Sequence, residues 1–497
     1  MKQEIILNFI FTVIINVLGF IQNKYFVLYM GIETLGMMKL FSQLLAYLNI
    51  VEMGLSSASA FALYKPLAEK KYNQVSVIVN TIENIYNKIG ILLFGLGILC
   101  IPIIPFFMKM SNFSNMVYFY WMLYVANTVS TYLFIKYVIL FTANQEFLYV
   151  KTIQSISVIC FKILQVFFIV KFHSFFIYIL LLIFDNLTQW IFFKKHYKKK
   201  YSYIVKVKEK YIRIKNDIKN LFWHKIGGLI VFNTDLILIS KFTELKMVGI
   251  YASYQMINQV LLTIINILLS VLSPKIGKFI AEHTKQETYI CFKKYNILFC
   301  FISIIFTWCS FILIDPFIKL WIGNQFILNK ITLKLMCFNL LVNLFRGNLE
   351  TFKFGAGFFD DIKAPILESI INLVISIILG LKIGLNGVII GTIISNVVVI
   401  LIYKPILVFE RCFDKNWKEY IKVYGNYLIL IVISLLSYNF ILKFISLKNV
   451  NSWAEWIIQG IIIGSITFIV IFIIFLSNKD FREIFKIFVK NEKEKLK

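Results

Sequence analysis

Long apolar runs, separated by short polar segments, recur along the whole chain. The runs reach the roughly 18 to 25 residues that a helix needs to cross the hydrocarbon core of a membrane. We therefore predict an all-α, polytopic membrane protein with about fourteen transmembrane helices. The predicted helices cover residues 6–30, 34–62, 80–108, 116–141, 152–170, 174–193, 221–240, 247–273, 290–314, 331–351, 364–382, 385–409, 419–442 and 454–476.

The composition agrees with a membrane protein and argues against a nucleic-acid partner, a disulfide framework and a metal site. Of the 497 residues, 59% are hydrophobic, and the mean hydropathy is +0.78. The net charge of +26 comes mainly from lysines and arginines between the apolar runs, so it indicates membrane orientation rather than a nucleic-acid partner. The seven cysteines show no CxxC or Cys/His spacing, and we predict neither a disulfide framework nor a metal site.

The basic segment 194–220 determines the orientation. It holds eleven Lys and Arg and two acids, a composition that is expected on the cytoplasmic face. With both termini cytoplasmic, the cytoplasmic segments carry roughly four times as many Lys and Arg as the external ones. We expect a bacterial cytoplasmic membrane, and we interpret the first apolar run as a helix rather than a signal peptide because no cleavage site follows it.

The basic segment also divides the chain into two halves that look related. Gly36 precedes Ala68 by 32 residues, and Gly249 precedes Ala281 by 32 residues, each time across a helix that leads into a Pro-containing loop. We interpret this as a parallel repeat about an axis normal to the membrane. The predicted organisation is an N-lobe at 1–193, a linker at 194–220, a C-lobe at 221–410, two further helices at 411–477 and a basic tail at 478–497.

The linker has a second predicted property. Its tyrosines, among them Tyr197, Tyr201 and Tyr203, alternate with lysines and give the segment an amphipathic character. This pattern favours a segment that lies on the anionic inner leaflet, with a solvated charged linker as the alternative.

Three stretches resemble one known family. Residues 355–395 carry an acidic pair, a proline, an ES-INL-IS helix and a G-x-x-G-x-x-x-G-T-x-x-S helix, in that order. Residues 23–69 and 224–235 (HKIGGLIVFNTD) supply a hairpin and the start of a second lobe. Together they resemble the polysaccharide-export, O-antigen-type flippases of the multidrug/oligosaccharidyl-lipid/polysaccharide exporter superfamily.

The resemblance implies a flippase, not an enzyme, that moves a polyprenyl-diphosphate-linked oligosaccharide to the outer leaflet. Such a protein would serve the synthesis of a surface polysaccharide such as the lipopolysaccharide O-antigen, and the resemblance implies no cofactor. Candidate partners are a polysaccharide polymerase, glycosyltransferases and anionic membrane lipids. Two alternatives stay open, a drug or cation antiporter of the same superfamily and a membrane glycosyltransferase or polymerase.

Cations inside predicted helices are the candidate substrate-binding residues, because a charge at a helix centre costs about 2.5–3.5 kcal/mol to insert. Lys24 and Lys39 lie at similar depths on either side of the first external turn, where a diphosphate would fit between them. Lys225 and Arg346 are the candidates in the second half. The lysines could instead extend to the interface, and Arg346 could pair with Glu350 one turn later.

Carboxylates inside predicted helices are the second set of candidates. Asp235, near the middle of the seventh helix, and Glu52 are interpreted as lumen or coupling-ion carboxylates. Lys162 and Asp185 fall at similar depths in neighbouring helices, and we predict a structural ion pair, with lumen lining as the alternative.

Overall fold

The computed structural model describes residues 2–52, 55–108, 115–207, 234–358, 363–444 and 450–486. The described residues form helices joined by short turns, as predicted, and none of them is in a strand. The first ten helices are α1 Lys2–Met30, α2 Ile32–Leu48, α3 Leu55–Ala68, α4 Tyr72–Leu99, α5 Ile104–Phe107, α6 Met116–Ser130, α7 Ile135–Ala143, α8 Phe147–Phe172, α9 Phe175–Lys200 and α10 at 234–242. The others are α11 Leu245–Glu282, α12 Lys285–Trp321, α13 Lys330–Gly355, α14 Lys363–Ile383, α15 Leu385–Asn396, α16 Lys404–Phe413, α17 Trp417–Phe444, α18 Trp453–Phe475 and α19 at 479–486.

Eleven described segments are long and apolar enough to span a membrane, and each coincides with a predicted helix. Three predicted helices fall outside this set, each for an identifiable reason. They are 34–62, 221–240 and 331–351. The first is divided after Leu48, the second lies largely outside the described residues, and the third becomes α13, whose interior carries several charges. The fold class that we predicted is confirmed.

Helix ends extend beyond the apolar runs where polar residues cap them. Predicted to begin at residue 290, α12 begins at Lys285 because Thr284 and Glu287 form a capping box. Similarly, α9 continues through the lysines to Lys200. Apolar pattern alone therefore underestimates the length of these helices.

The chain separates into two compact units, and the first is Met1–Ala252. In it α1 packs along α8, α8 along α9, and α6 along α9. Aromatic side chains fill the interior, with the rings of Phe41 and Trp121 5.3 Å apart. The Trp121 indole donates a hydrogen bond to the Gly97 carbonyl at 2.8 Å, which satisfies its one polar atom in the apolar interior.

The first unit also contains a very close helix crossing between α2 and α11. A β-carbon built on Gly36 would lie 2.0 Å from the Leu245 carbonyl oxygen, and one built on Gly249 would lie 2.2 Å from the Ile32 carbonyl oxygen. Only glycine allows the two backbones to approach so closely. The crossing therefore depends on the residue type at both positions.

The second unit, Ser253–Lys497, is built around α12. Phe292 of α12 packs against Phe352 and Phe413, with ring centroids 5.2 and 4.9 Å apart. In the α14–α15 hairpin, a β-carbon on Gly387 would lie 2.1 Å from the Leu379 carbonyl oxygen, so this turn too requires a glycine.

Between α15 and α16 the chain passes through a π-helical segment, Val397–Tyr403. The hydroxyl of Tyr420 donates a hydrogen bond to the carbonyl of Leu401 within this segment. A π-helical turn contains more residues than an α-helical turn, and the altered hydrogen bonding leaves carbonyls available to other donors.

The described part of the basic linker packs on the first unit. The Tyr201 side chain is buried and its hydroxyl donates to Glu146, while the Val205 carbonyl accepts a hydrogen bond from Asn80 at 2.8 Å. The Tyr203 ring contacts that of Tyr72, with centroids 4.3 Å apart. Tyr201 and Tyr203 thus have partners within the protein, and contact of the linker with the membrane stays a prediction; residues 208–220 lie outside the described residues.

Candidate functional site

A polar cluster lies inside the first unit, where α1, α8 and α9 meet. The ammonium group of Lys162 donates to Gln22 Oε1 at 2.8 Å, and Gln22 donates to Gln165 Oε1 at 2.5 Å. Both glutamine side chains are buried. A hydrogen bond from the Lys162 ammonium group to a neutral, buried side chain thus holds this lysine in the membrane interior.

Asp185 belongs to the same region but does not form the direct ion pair that we predicted. Its carboxylate accepts hydrogen bonds from Ser157 and from Gln189, the second at 3.0 Å. Among the described ion pairs none joins it to Lys162, although the two charges are close enough to attract. The correction has a simple cause, because nearby hydroxyl and amide groups satisfy each charge locally.

Lys39 of α2 is half-buried, and its charge lies within electrostatic range of Lys162. Lys24, the other predicted substrate residue of the first two helices, is half-buried on α1. The electrostatic relationship between Lys39 and Lys162 was not indicated by the sequence.

Glu52 lies in the 3₁₀ turn that follows α2. Ser56 donates to its carboxylate at 3.4 Å, and Tyr132 also forms a hydrogen bond with it. Ser56 is one helical turn further along the chain, so this partner could have been read from the sequence. Tyr86 completes the group with a 2.8 Å hydrogen bond to Ser56.

Asp235 is in the described part of the seventh predicted helix. Its side chain is 8% exposed, and it lies within electrostatic range of Tyr47. The adjacent Thr234 shares a 2.5 Å hydrogen bond with the Tyr47 hydroxyl. The buried carboxylate of Asp235 therefore lies next to a contact between α2 and α10 in the first unit. Lys225 lies outside the described residues.

The second unit holds a cluster of five charges on α13, α14 and α16. Arg346 donates two hydrogen bonds to the Glu368 carboxylate, at 2.7 and 3.1 Å, and Glu368 is fully buried. Glu350 accepts from Lys353 at 2.7 Å and from Lys404. The alternative pairing of Arg346 with Glu350 is therefore wrong, because each finds a partner of opposite charge on another helix.

This cluster is almost neutral, which explains how it can be buried. Three cations face two carboxylates, and the side chains of Lys353 and Lys404 are 7% and 3% exposed. Unpaired charges at this depth would cost several kcal/mol each. Glu368, Lys353 and Lys404 were not among the predicted site residues. Each is a charge in or beside an apolar run, and a charge in that position is a candidate functional residue.

The described residues contain no group of three His, Cys, Asp or Glu side chains that could hold a metal ion.

The sequence comparison decides the family. The model of the polysaccharide biosynthesis protein family matches residues 1–280, which is more than half of the chain. The protein belongs to this family. The resemblance to the exporter superfamily is thereby confirmed, while no curated protein sequence matches the chain.

Solved structures with a similar fold agree with the family. Lipid II flippase MurJ in an inward closed conformation has a TM-score of 0.66 at 17% identity, with 95% of this chain and 99% of that chain covered. An inward-facing multidrug resistance MATE family transporter of the MOP superfamily has a TM-score of 0.61 at 14% identity, with 79% and 94% covered. At these identities the similarity establishes a shared fold.

Proposed function

We propose that this protein is a flippase that moves polyprenyl-diphosphate-linked oligosaccharide units from the cytoplasmic to the outer leaflet of a bacterial membrane. The polysaccharide biosynthesis family supports the pathway, and the MurJ-like fold supports transport by alternating access. Surface polysaccharide, including O-antigen, is the class of product. A polysaccharide polymerase and glycosyltransferases are the proposed partners of such a protein.

The observation that carries the proposal is that Lys162, which donates a hydrogen bond to the buried Gln22 at 2.8 Å, lies within electrostatic range of a second cation, Lys39. Two cations that repel each other inside membrane helices are unfavourable unless an anion or water separates them. A diphosphate carries the charge and the acceptor oxygens to do so. Lys24, Lys225 and Arg346 remain proposed substrate residues, and Asp235 and Glu52 remain proposed lumen carboxylates.

The same observation favours the flippase over the antiporter alternative. A cationic drug would be repelled by the positive charges of Lys39 and Lys162, whereas an anionic lipid would be attracted. The fold that this chain shares with the MATE transporter does not distinguish these substrates.

The test is transport in proteoliposomes. A fluorescent polyprenyl-diphosphate-linked disaccharide is placed in both leaflets, and the fraction that an external quencher reaches is followed with time. The Lys39→Ala, Lys162→Ala double variant should flip the lipid at least about tenfold more slowly than the unaltered protein. A tenfold change corresponds to a loss of about 1.4 kcal/mol of interaction free energy. Lys171→Ala, an exposed lysine on the same α8, is the matched control.

Two outcomes would contradict the proposal. The first is full flipping by the double variant, which would remove the lysine pair from the site. The second is an unaltered protein that leaves the lipid in place but accumulates a cationic dye against a proton or sodium gradient, which would establish the antiporter instead.

A further inference from the structure

Gln43 of α2 holds a buried hydrogen-bond acceptor without a donor. Its side-chain oxygen Oε1 is enclosed by the protein, yet no donor among the described residues reaches it. Thr34 and Ser42 of the same helix differ, because their hydroxyls donate to backbone carbonyls four residues earlier, at 2.8 and 2.9 Å. An enclosed acceptor that gives up water and gains no donor is unfavourable, so this oxygen indicates a place where a ligand donates.

Gln43 lies on the same face of α2 as Lys39 and Tyr47. Residues four apart are neighbours on a helix surface, with about 6 Å of rise between them. Lys39, whose charge lies within electrostatic range of Lys162, is therefore one helical turn from Gln43. Tyr47 is one turn away in the other direction, and its hydroxyl already shares a 2.5 Å hydrogen bond with Thr234. The unsatisfied oxygen of Gln43 thus lies next along α2 to the proposed diphosphate site.

The chemistry of this oxygen selects which part of the proposed substrate it can contact. A carbonyl oxygen needs an O–H or N–H donor. An ionised diphosphate offers only acceptor oxygens, and a polyprenyl chain offers no polar hydrogen. Of the three parts of the lipid, only the saccharide carries donors, in its hydroxyl and acetamido groups. The sugar attached directly to the diphosphate is the one that lies within a helical turn of a phosphate held at Lys39.

We propose that Gln43 is a specificity-determining residue, which accepts a hydrogen bond from the first sugar of the lipid-linked saccharide. This inference rests on the function proposed above, in which Lys39 and Lys162 attract the diphosphate. Charge alone does not distinguish the glycosylated lipid from the bare polyprenyl diphosphate, because both carry the same anion. The carboxamide of Gln43 makes that distinction, since only the glycosylated lipid brings a donor to it.

The test compares two ligands on the full-length protein in a neutral detergent. Native mass spectrometry gives the Kd of a polyprenyl-diphosphate-linked disaccharide and of the bare polyprenyl diphosphate. Gln43→Met keeps the length of the side chain and removes the acceptor, so we expect the Kd for the disaccharide lipid to weaken about five- to tenfold. The Kd for the bare lipid should stay unaltered. Gln74→Met, the same change at an exposed position of α4, should alter neither value.

Thermal unfolding without ligand gives a second measurement, on which a purely structural role predicts the opposite result. Removing an enclosed acceptor that has no donor relieves its desolvation cost, so Gln43→Met should unfold at the same temperature as the unaltered protein or at a higher one. If this variant does not accumulate in the membrane, Gln43→Asn, which withdraws the carboxamide by one carbon, should show the same selective loss of affinity.

Two results would overturn this inference alone. One is unaltered affinity of Gln43→Met for the disaccharide lipid. The other is an equal loss of affinity for both lipids together with a lower unfolding temperature, which would make Gln43 a structural residue. Lys39→Ala, by contrast, should weaken the binding of both lipids. An unaltered protein that binds neither lipid saturably would overturn the proposed function itself, and the role of Gln43 with it.

Discussion

Gly36 and Gly249, the two positions that the sequence repeat aligns, pack against each other. A β-carbon on Gly36 would lie 3.1 Å from the Gly249 nitrogen, and one on Gly249 would lie 3.2 Å from the Gly36 nitrogen. The reciprocal geometry is what a two-fold repeat produces where equivalent helices cross. It supports the repeat interpretation, which rests otherwise on spacing.

The crossing predicts that Gly36→Ala lowers stability. The new methyl group would overlap the Leu245 carbonyl, and overpacking of this kind costs about 1–3 kcal/mol. Gly95→Ala on α4, where a β-carbon meets nothing within 4 Å, should instead stabilise its helix by about 0.5–1 kcal/mol. Thermal unfolding of both variants in detergent gives the comparison; a Gly36→Ala protein as stable as the Gly95→Ala protein would contradict the prediction.

The membrane orientation that we predict from the sequence determines which residues an impermeant thiol reagent should reach from outside. Asn324→Cys, in the turn between α12 and α13, should be labelled on intact cells, while Ser202→Cys in the basic linker should not. Both positions are exposed in the structure, so accessibility of the side chain is matched. Labelling after cell lysis is the control, and external labelling of Ser202→Cys would invert the topology.

The ion pair of Arg346 with Glu368 predicts strong coupling. Glu368→Gln removes the fully buried carboxylate that accepts two hydrogen bonds from Arg346, and we expect this change alone to cost about 3–5 kcal/mol. The double variant Arg346→Met, Glu368→Leu should recover most of that loss, because no charge then stays behind. A double-mutant cycle of unfolding free energies measures the coupling, and additive losses would show that the pair contributes little. Arg346→Lys should behave as an intermediate, since two parallel hydrogen bonds become one.

Asp235 predicts a separation of folding from transport. Asp235→Asn keeps the shape and the hydrogen-bonding capacity beside Tyr47 but removes the charge, so we expect normal accumulation in the membrane and loss of most transport. Transport that remains should no longer depend on pH or sodium. Asp414→Asn, at an exposed position, is the control. A variant that transports normally would make Asp235 a packing residue.

Glu146 predicts loss of stability in acid. Burial alone would raise the pKa of this carboxyl, but hydrogen bonds from Tyr201, Asn144, His196 and Lys200 outweigh it and lower the pKa to about 2. Because the folded pKa lies below the ordinary value of 4.5, the stabilisation is complete above that value and is lost as the pH falls toward about 2.

The measurement is the unfolding midpoint between pH 6 and pH 3, in the unaltered protein and in Glu146→Gln. The variant should start less stable and fall less steeply over this range. Parallel curves would show that other carboxylates dominate the acid sensitivity.

The transmembrane helices could be predicted because the length of an apolar run gives the approximate length of the helix. A helix needs little more than such a run to span a membrane. The partners of buried charges were not, because they depend on how distant helices pack. Arg346 offered Glu350 one turn away, yet the structure pairs it with Glu368 of another helix. Lys162 offered Asp185 at the same depth, yet it bonds to Gln22 of α1, which no charge-based rule would select. The depth of a charge in the membrane limits which residues can be its partner. The direction in which each side chain points around its helix axis then determines which of these residues it contacts.

The π-helical segment Val397–Tyr403 determines the direction in which the α16 side chains of the charged cluster point around the helix axis. Each residue of an α-helix advances about 100° around the axis, so a turn that holds an additional residue rotates everything after it. Lys404 follows this segment directly and reaches Glu350, and Arg411 follows two turns later on the same helix. A deletion of one residue between 397 and 403 would therefore act as a rotation of α16. It would turn Lys404 away from Glu350 on α13 without changing either of these side chains.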